Sequence, residues 1–144
     1  MEVTLKNREI DQGLVLIREF TKKPLPVKLS YAVAKTIRRL KDVVEVVTEE
    51  RKKLVEKHQL TDVEGKVVVD DVGNIQFDDP TAFAKDFDEL MRQENKVDVH
   101  QVEYDKLTKM KDGVGKIIQP SPEELEGLIL LQMIIEPEEV EEEE

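Results

Sequence analysis

One apolar seam dominates the hydrophobic pattern of this chain, and it lies in a stretch from Lys28 to about His58 that contains neither proline nor glycine. Its positions follow one another at alternating spacings of four and three residues. They are Val33, Ile37, Leu40, Val44, Val47, Arg51, Leu54 and His58. This period is typical of a helix that packs lengthwise on another helix. The pattern predicts one helix of about 30 residues, roughly 45 Å long.

The chain before this helix predicts two short elements. The first seven residues, MEVTLKN, alternate between apolar and polar and indicate a strand. Asp11 is expected to cap a short helix that reaches about Thr21. Pro24 and Pro26 then end it, because proline supplies no backbone donor.

The middle of the chain predicts a hairpin followed by a helix. GKVVVDDVGNIQF resembles two strands around the turn at Gly73-Asn74. Its pleated apolar positions are Val67, Val69, Ile75 and Phe77. Asp79 before Pro80 is a typical helix start, and the helix is expected to run to about Glu94. The apolar face of this helix carries Phe83, Phe87, Leu90 and Met91.

The C-terminal third predicts a strand, a connector and a buried helix. KVDVHQVEY indicates a strand from Val97 to Tyr104, and the glycine-containing residues 105–119 a flexible connector. Ser121 with Glu124 forms a capping box before LEGLILLQMII, which is apolar almost all round and must be buried. Pro137 is expected to end this helix.

Together these elements predict an α+β fold, in which a small antiparallel sheet packs with one long helix and two or three shorter helices. The length of 144 residues suits one domain. We expect that domain to cover residues 1–136. Residues 137–144, EEVEEEE after the proline, are expected to form an acidic flexible tail.

Charge is divided unevenly along the chain, whose net charge is −11. Residues 1–60 have an excess of five positive charges, and residues 61–144 an excess of sixteen negative ones. Seven cations and no acid lie between Glu19 and Asp42. Such asymmetry indicates charged partners, or one half that neutralises the other. The negative total argues against direct nucleic-acid binding, because a phosphate backbone repels most of this surface.

The cations of the long helix and the glutamates of the tail are the candidate partner-binding residues. On the helix they are Lys28, Lys35, Arg38, Arg39 and Lys41, and in the tail Glu138, Glu139, Glu141 and Glu142. Two interpretations stay open for the helix: a solvated face that the tail neutralises, or a docking surface for an acidic protein segment. The tail is either a solubilising appendage or a cover for a basic surface of a partner.

The sequence offers little for catalysis. It has no cysteine, which excludes disulfides, thiol nucleophiles and thiolate metal sites. It contains no phosphate-binding loop, and GVGK at 113–116 is the nearest approach to one. It also lacks the apolar run of a signal peptide or membrane span. We therefore expect a soluble, cytoplasmic protein without a membrane partner.

The few titratable residues in suggestive positions have simpler explanations. His58 and His100 belong to no metal-binding pattern. The pairs Asp70-Asp71 and Asp78-Asp79 lack the spacing of a calcium loop, so we expect them to serve in turns and caps. A metal-dependent enzyme with those four acids as ligands remains a third hypothesis. The leading expectation is a protein that is not an enzyme and has no cofactor or metal.

The order of the elements resembles a group of small proteins encoded by tailed phages and prophages, mostly of Gram-positive bacteria, whose role is generally unassigned. The similarity rests on LPVKLSYAVAK at 25–35, EERKKL at 49–54, the Gly-Asn hairpin, the Phe83–Leu90 helix, KVDVHQV and SPEELEGL. It covers most of residues 1–136. The resemblance implies a phage product made in the cytoplasm of a bacterial host.

Composition extends that resemblance. The chain has three asparagines, no cysteine and 38% charged residues, which is typical of thermophilic proteins. A small acidic phage protein of this kind resembles phage factors that bind host RNA polymerase. The resemblance therefore implies a regulatory protein whose partner is a host complex, RNA polymerase or an associated factor. The alternative is a virion or tail assembly protein, in which the seam and the helix Leu125–Ile135 serve association.

Overall fold

The computed structural model describes residues 1–112 and 114–135, and in this part the fold is α+β and mostly helical. The helices are α1 (Asn7–Leu16), α2 (Val27–His58), α3 (Pro80–Arg92), α4 (Tyr104–Thr108) and α5 (Pro122–Leu130). The strands are β1 (Glu2–Lys6), β2 (Glu94–Asp98), β3 (Val102–Glu103) and β4 (Ile134–Ile135). A short 3-10 turn, Phe20–Lys22, follows α1. The predicted fold class is confirmed.

The long helix is confirmed almost to the residue. α2 begins at Val27, because Pro26 before it is held in an extended conformation. Every position of the predicted seam is buried or half-buried. The seam packs against α1, α3 and β2, so this one helix supports both halves of the molecule.

The junction between β1 and α1 is closed by two asparagines. β1 pairs antiparallel with β2, with Val3 opposite Val97. The buried Asn7 side chain donates to the Leu90 carbonyl oxygen at 2.7 Å and accepts from Asn95 at 2.7 Å. Asn7 is therefore fixed at the first position of α1. The helix starts four residues before the predicted cap at Asp11, and that prediction is wrong.

α1 and α5 lie unusually close, because each contributes a glycine to their contact. A Cβ atom added to Gly127 would lie 2.7 Å from Leu16 Cβ and 3.0 Å from the Gly13 carbonyl oxygen. A Cβ atom on Gly13 would lie 2.5 Å from Leu131 Cγ. Neither position has room for a side chain without movement of a neighbour.

The helix predicted from Ser121 to Pro137 ends early. Its capping box is confirmed, since Ser121 Oγ accepts from the Glu124 N–H and Glu124 accepts from the Ser121 N–H. α5 nevertheless stops at Leu130, because Gln132 adopts a left-handed conformation with φ of 56°. Gln132 and Met133 donate back to Ile129 and Leu128, a Schellman arrangement.

The predicted strand 97–104 is instead two strands, and they pair with different partners. β2 pairs with β1, whereas β3 pairs in parallel with β4. Between them the His100 N–H donates to the buried Thr36 hydroxyl on α2, so the chain turns across the long helix. The predicted connector 105–119 also contains structure, namely α4 and a hydrogen-bonded turn at Asp112.

The predicted hairpin around Gly73 is part of a larger arrangement. In place of two regular strands, Leu60, Val68 and Gln76 hydrogen-bond to one another in a closed ring at 2.8–2.9 Å. The residues predicted at the pleated apolar positions form only isolated β-bridges, such as the one between Val69 and Ile75. Five-residue turns begin at Asp62 and Asp70, and a third begins at Asp112.

A partly buried ion pair holds α5 to the turn before α2. Lys23 Nζ lies 2.7 Å from Glu124 Oε1, and the Glu124 side chain is 6% exposed. Burial alone would raise the pKa of Glu124, but hydrogen bonds from Lys23 and Ser121 outweigh it and hold the pKa below its usual range.

The glycine contact makes a first prediction. Gly127→Ala gains about 1 kcal/mol in helix propensity. It also forces a methyl group into occupied space, which costs about 1–3 kcal/mol. We expect a net loss of stability, measured as a lower urea midpoint. Glu126→Ala, on the exposed side of α5, is the control and should change little. A midpoint that rises in Gly127→Ala would contradict this packing.

The ion pair makes a second prediction. The folded-state pKa of Glu124 is below its unfolded value of about 4.3, so the folded state binds fewer protons in this range. Its contribution to stability is complete above that pH and is lost as the pH falls through the folded-state pKa. Glu124→Gln should therefore make stability less dependent on pH below about 4.3, in urea titrations at several pH values. Glu123→Gln, at an exposed neighbour, should retain the wild-type dependence.

Candidate functional site

The five candidate cations of α2 are all exposed, and the structure divides them among three hollows. Lys35 and Arg39 share one hollow, Arg38 and Lys41 share a second, and Lys28 lines a third. The five cations therefore do not line one continuous groove. The candidate glutamates Glu138, Glu139, Glu141 and Glu142 lie outside the described residues.

The first hollow, of about 270 Å³, is basic and partly aromatic. Lys35 Nζ lies 5.3 Å from the centroid of the Tyr31 ring, a cation–π contact. Arg39 is held in place by Asp98, with Nη1 at 3.1 Å from its carbonyl oxygen and 3.4 Å from its carboxylate. Arg39 is thus engaged within the fold, whereas Lys35 is presented to solvent.

The field at this hollow is positive. A hydrogen bond from the α-amino group of Met1, at 2.7 Å, lowers the pKa of Asp98. The charges of that amino group, Arg39 and Lys35 lower it further. The one acid of this surface is therefore held in its charged form by cations on every side.

The second hollow, of about 370 Å³, lies on another face of α2, where Arg38 is one helical turn from Lys35. Arg38 and Lys41 line it together with Asp42 and the half-buried Leu25. Within 1–112 and 114–135, no ion pair involves Lys35, Arg38 or Lys41. No residue that the structure describes therefore neutralises their charges through an ion pair, which leaves them available to a binding partner.

The third and largest hollow, of about 510 Å³, is the one that we call the lysine groove. Four lysines line it: Lys28, Lys106, Lys109 and Lys111. The half-buried Leu29 and Val102 supply apolar surface, the buried Met110 lies beneath, and Glu103 is its one acid. Ile135, the last residue of β4, forms part of its wall. None of the four lysines forms an ion pair with any residue that the structure describes.

Sequence reasoning missed three of those lysines, because residues 105–119 were interpreted as a connector. Lys106 lies on α4, and Lys109 and Lys111 follow it directly. Pairing of β3 with β4 brings this segment beside the start of α2. The signal was present in DKLTKMK, where three lysines occur within six residues. No local pattern, however, linked them to Lys28.

The two histidines do not face each other or share a site. His58 Nε2 lies 2.7 Å from Asp86 Oδ2 and packs edge-on against Phe83, which fastens α3 to the end of α2. Hydrogen bonds from His58 and then Lys57 lower the pKa of Asp86. His100 is exposed and borders both the first hollow and the lysine groove.

One aspartate of each pair binds backbone N–H groups through its side chain. Asp70 Oδ1 accepts from the N–H groups of Val72 and Asn74, and Asp79 Oδ1 caps α3 by accepting from Thr81 and Ala82. No group of three or more potential metal ligands occurs within residues 1–112 and 114–135. This part of the chain therefore offers no support for the metal hypothesis.

In the same part of the chain, no helix is both long enough and apolar enough to cross a bilayer. Comparison with known proteins gives no relative: no family model, curated protein or solved structure matches this chain.

The positive field makes a third prediction. Acetylation of the N-terminus removes the main cause of the lowered pKa of Asp98, and Arg39→Ala removes a smaller one. We expect the carboxylate midpoint in an NMR titration to rise in both cases, and more after acetylation. Lys52→Ala, which removes an exposed cation from the other half of α2, is the control and should leave the Asp98 midpoint unchanged. A midpoint of Asp98 that stays unchanged would contradict this electrostatic environment.

Proposed function

We propose that this protein is a non-enzymatic binding protein that attaches to an acidic surface of a host macromolecular machine, bacterial RNA polymerase, and alters transcription. The observation that supports it is the set of exposed α2 cations Lys35, Arg38 and Lys41, which form no ion pair within the described part of the chain. In a protein of net charge −11, such a local positive surface favours an acidic protein partner over nucleic acid.

The choice of partner rests on resemblance. The similarity to small phage proteins supports a partner in the bacterial host, and the analogy with phage factors that bind RNA polymerase supports that enzyme. The host cytoplasm is then the place of action. Because α2 is a rigid helix fixed along its seam, its cations are presented without a large ordering cost on binding.

The fourth prediction tests this proposal directly. The full chain should bind purified RNA polymerase of a Gram-positive bacterium in a biosensor assay, with affinity that falls as salt rises. The double variant Lys35→Glu/Arg38→Glu should weaken binding at least about tenfold. Arg39 is left unchanged because it supports Asp98 within the fold.

The matched control is Lys52→Glu/Lys53→Glu, at exposed positions in the other half of the same helix. It changes net charge equally and should leave binding close to wild type. Absence of binding by the intact chain contradicts the choice of RNA polymerase. Equal losses in both double variants contradict docking through the N-terminal half of α2. Transcription assays with the same variants then give the direction of the effect.

Virion or tail assembly is the second candidate, and a different surface favours it. Most of the apolar surface of α5 is packed within the fold, since Leu128 is buried and Leu125 half-buried, and of its leucines and isoleucine only Ile129 is exposed. The turns instead expose Val63, Val72 and Val114, each at least 80% accessible. Val67, Val69 and Ile75, from the same segment as Val63 and Val72, are exposed as well, and such a concentration of apolar side chains suits association. Sedimentation at high protein concentration tests this: oligomers that Val63→Asp/Val72→Asp dissociates would support assembly, and a monomer would contradict it.

A further inference from the structure

We propose that the lysine groove binds the glutamate-rich segment 136–144 of this same chain. This inference concerns a different surface from Lys35, Arg38 and Lys41, and it does not depend on the proposed function. It rests on where the segment begins, on its charge and on its length.

The segment begins at the groove. Ile135 is the residue immediately before it, and Ile135 forms part of the groove wall. Its position is fixed by pairing of β4 with β3, where Ile135 lies opposite Glu103. The chain therefore enters the segment from the edge of the hollow, which removes most of the entropic cost of bringing the two together.

The charges are complementary. The segment EPEEVEEEE contains seven glutamates and no cation. The groove contributes Lys28, Lys106, Lys109 and Lys111 against the single acid Glu103. Each exposed pair contributes little by itself. Several such pairs act together here, and a tether at Ile135 gives the segment a high effective concentration.

The dimensions also agree. Nine residues span at most about 30 Å when extended, so the segment can pass all four lysines. The half-buried apolar groove residues Leu29 and Val102 offer surface to its one aliphatic side chain, Val140. Binding of the segment would cover Lys28 and neutralise the four lysines of the groove. An acidic partner must then displace the segment before it reaches the groove.

The test uses the full chain with a nitroxide label on Glu144→Cys, which is specific because the sequence has no cysteine. The label should broaden the amide signals of Lys106, Lys109 and Lys111 at about 20 mM salt, and the signals should recover at about 500 mM salt. A tether without binding gives broadening that salt does not change. That result, or broadening centred on Arg38 and Lys41, would overturn the proposal.

Two charge-reversal variants of the labelled protein complete the design. Lys106→Glu/Lys109→Glu should abolish the salt-dependent broadening at Lys28, whereas the matched control Lys52→Glu/Lys53→Glu should retain it. Retention in both variants would overturn the proposal. These measurements need no partner, so their failure leaves RNA polymerase binding untouched. Failure of RNA polymerase binding likewise leaves this inference intact.

Discussion

The close approach of α1 and α5 is the constraint on which the rest of the structure depends. It is possible only because Gly13 and Gly127 lie where these helices meet. A glycine in the middle of a helix costs about 1 kcal/mol in propensity, so its presence at both positions indicates that packing outweighs it. With α5 held against α1, the Lys23–Glu124 ion pair closes and the start of α2 is fixed beside it.

The lysine groove follows from that contact. α5 delivers the chain through the left-handed Gln132 into β4, which pairs with β3. β3 leads directly into α4, so Lys106 and the two lysines that follow α4 arrive beside Lys28, although they are about eighty positions away in sequence. Exposed charges of one sign repel, and the groove holds four of them at no advantage to folding that the structure reveals. A ligand of opposite charge is the simplest reason for such an arrangement.

Sequence predicted those parts of the fold that local chemistry determines. The seam of α2, the Asp79 cap and the Ser121 capping box each depend on residues within one or two helical turns, and all three are confirmed. The end of α5 was missed because its stop signal is normally glycine or asparagine, whereas here Gln132 takes the left-handed position. The start of α1 was missed because Asn7 is fixed by Leu90 and Asn95, which are distant in sequence.

The candidate site shows the same division between local and distant information. The helical pattern correctly predicted that the five cations of α2 are exposed. Only the tertiary structure separates them into three hollows and pairs Arg39 with Asp98. The repeated turns at Asp62, Asp70 and Asp112 were detectable from their shared spacing of aspartate to glycine. The lysines of the groove were not, because a net charge averages over the whole surface and conceals a local excess. The sign of a docking surface is therefore set by which segments the fold brings together, and an acidic protein can present a strongly basic site.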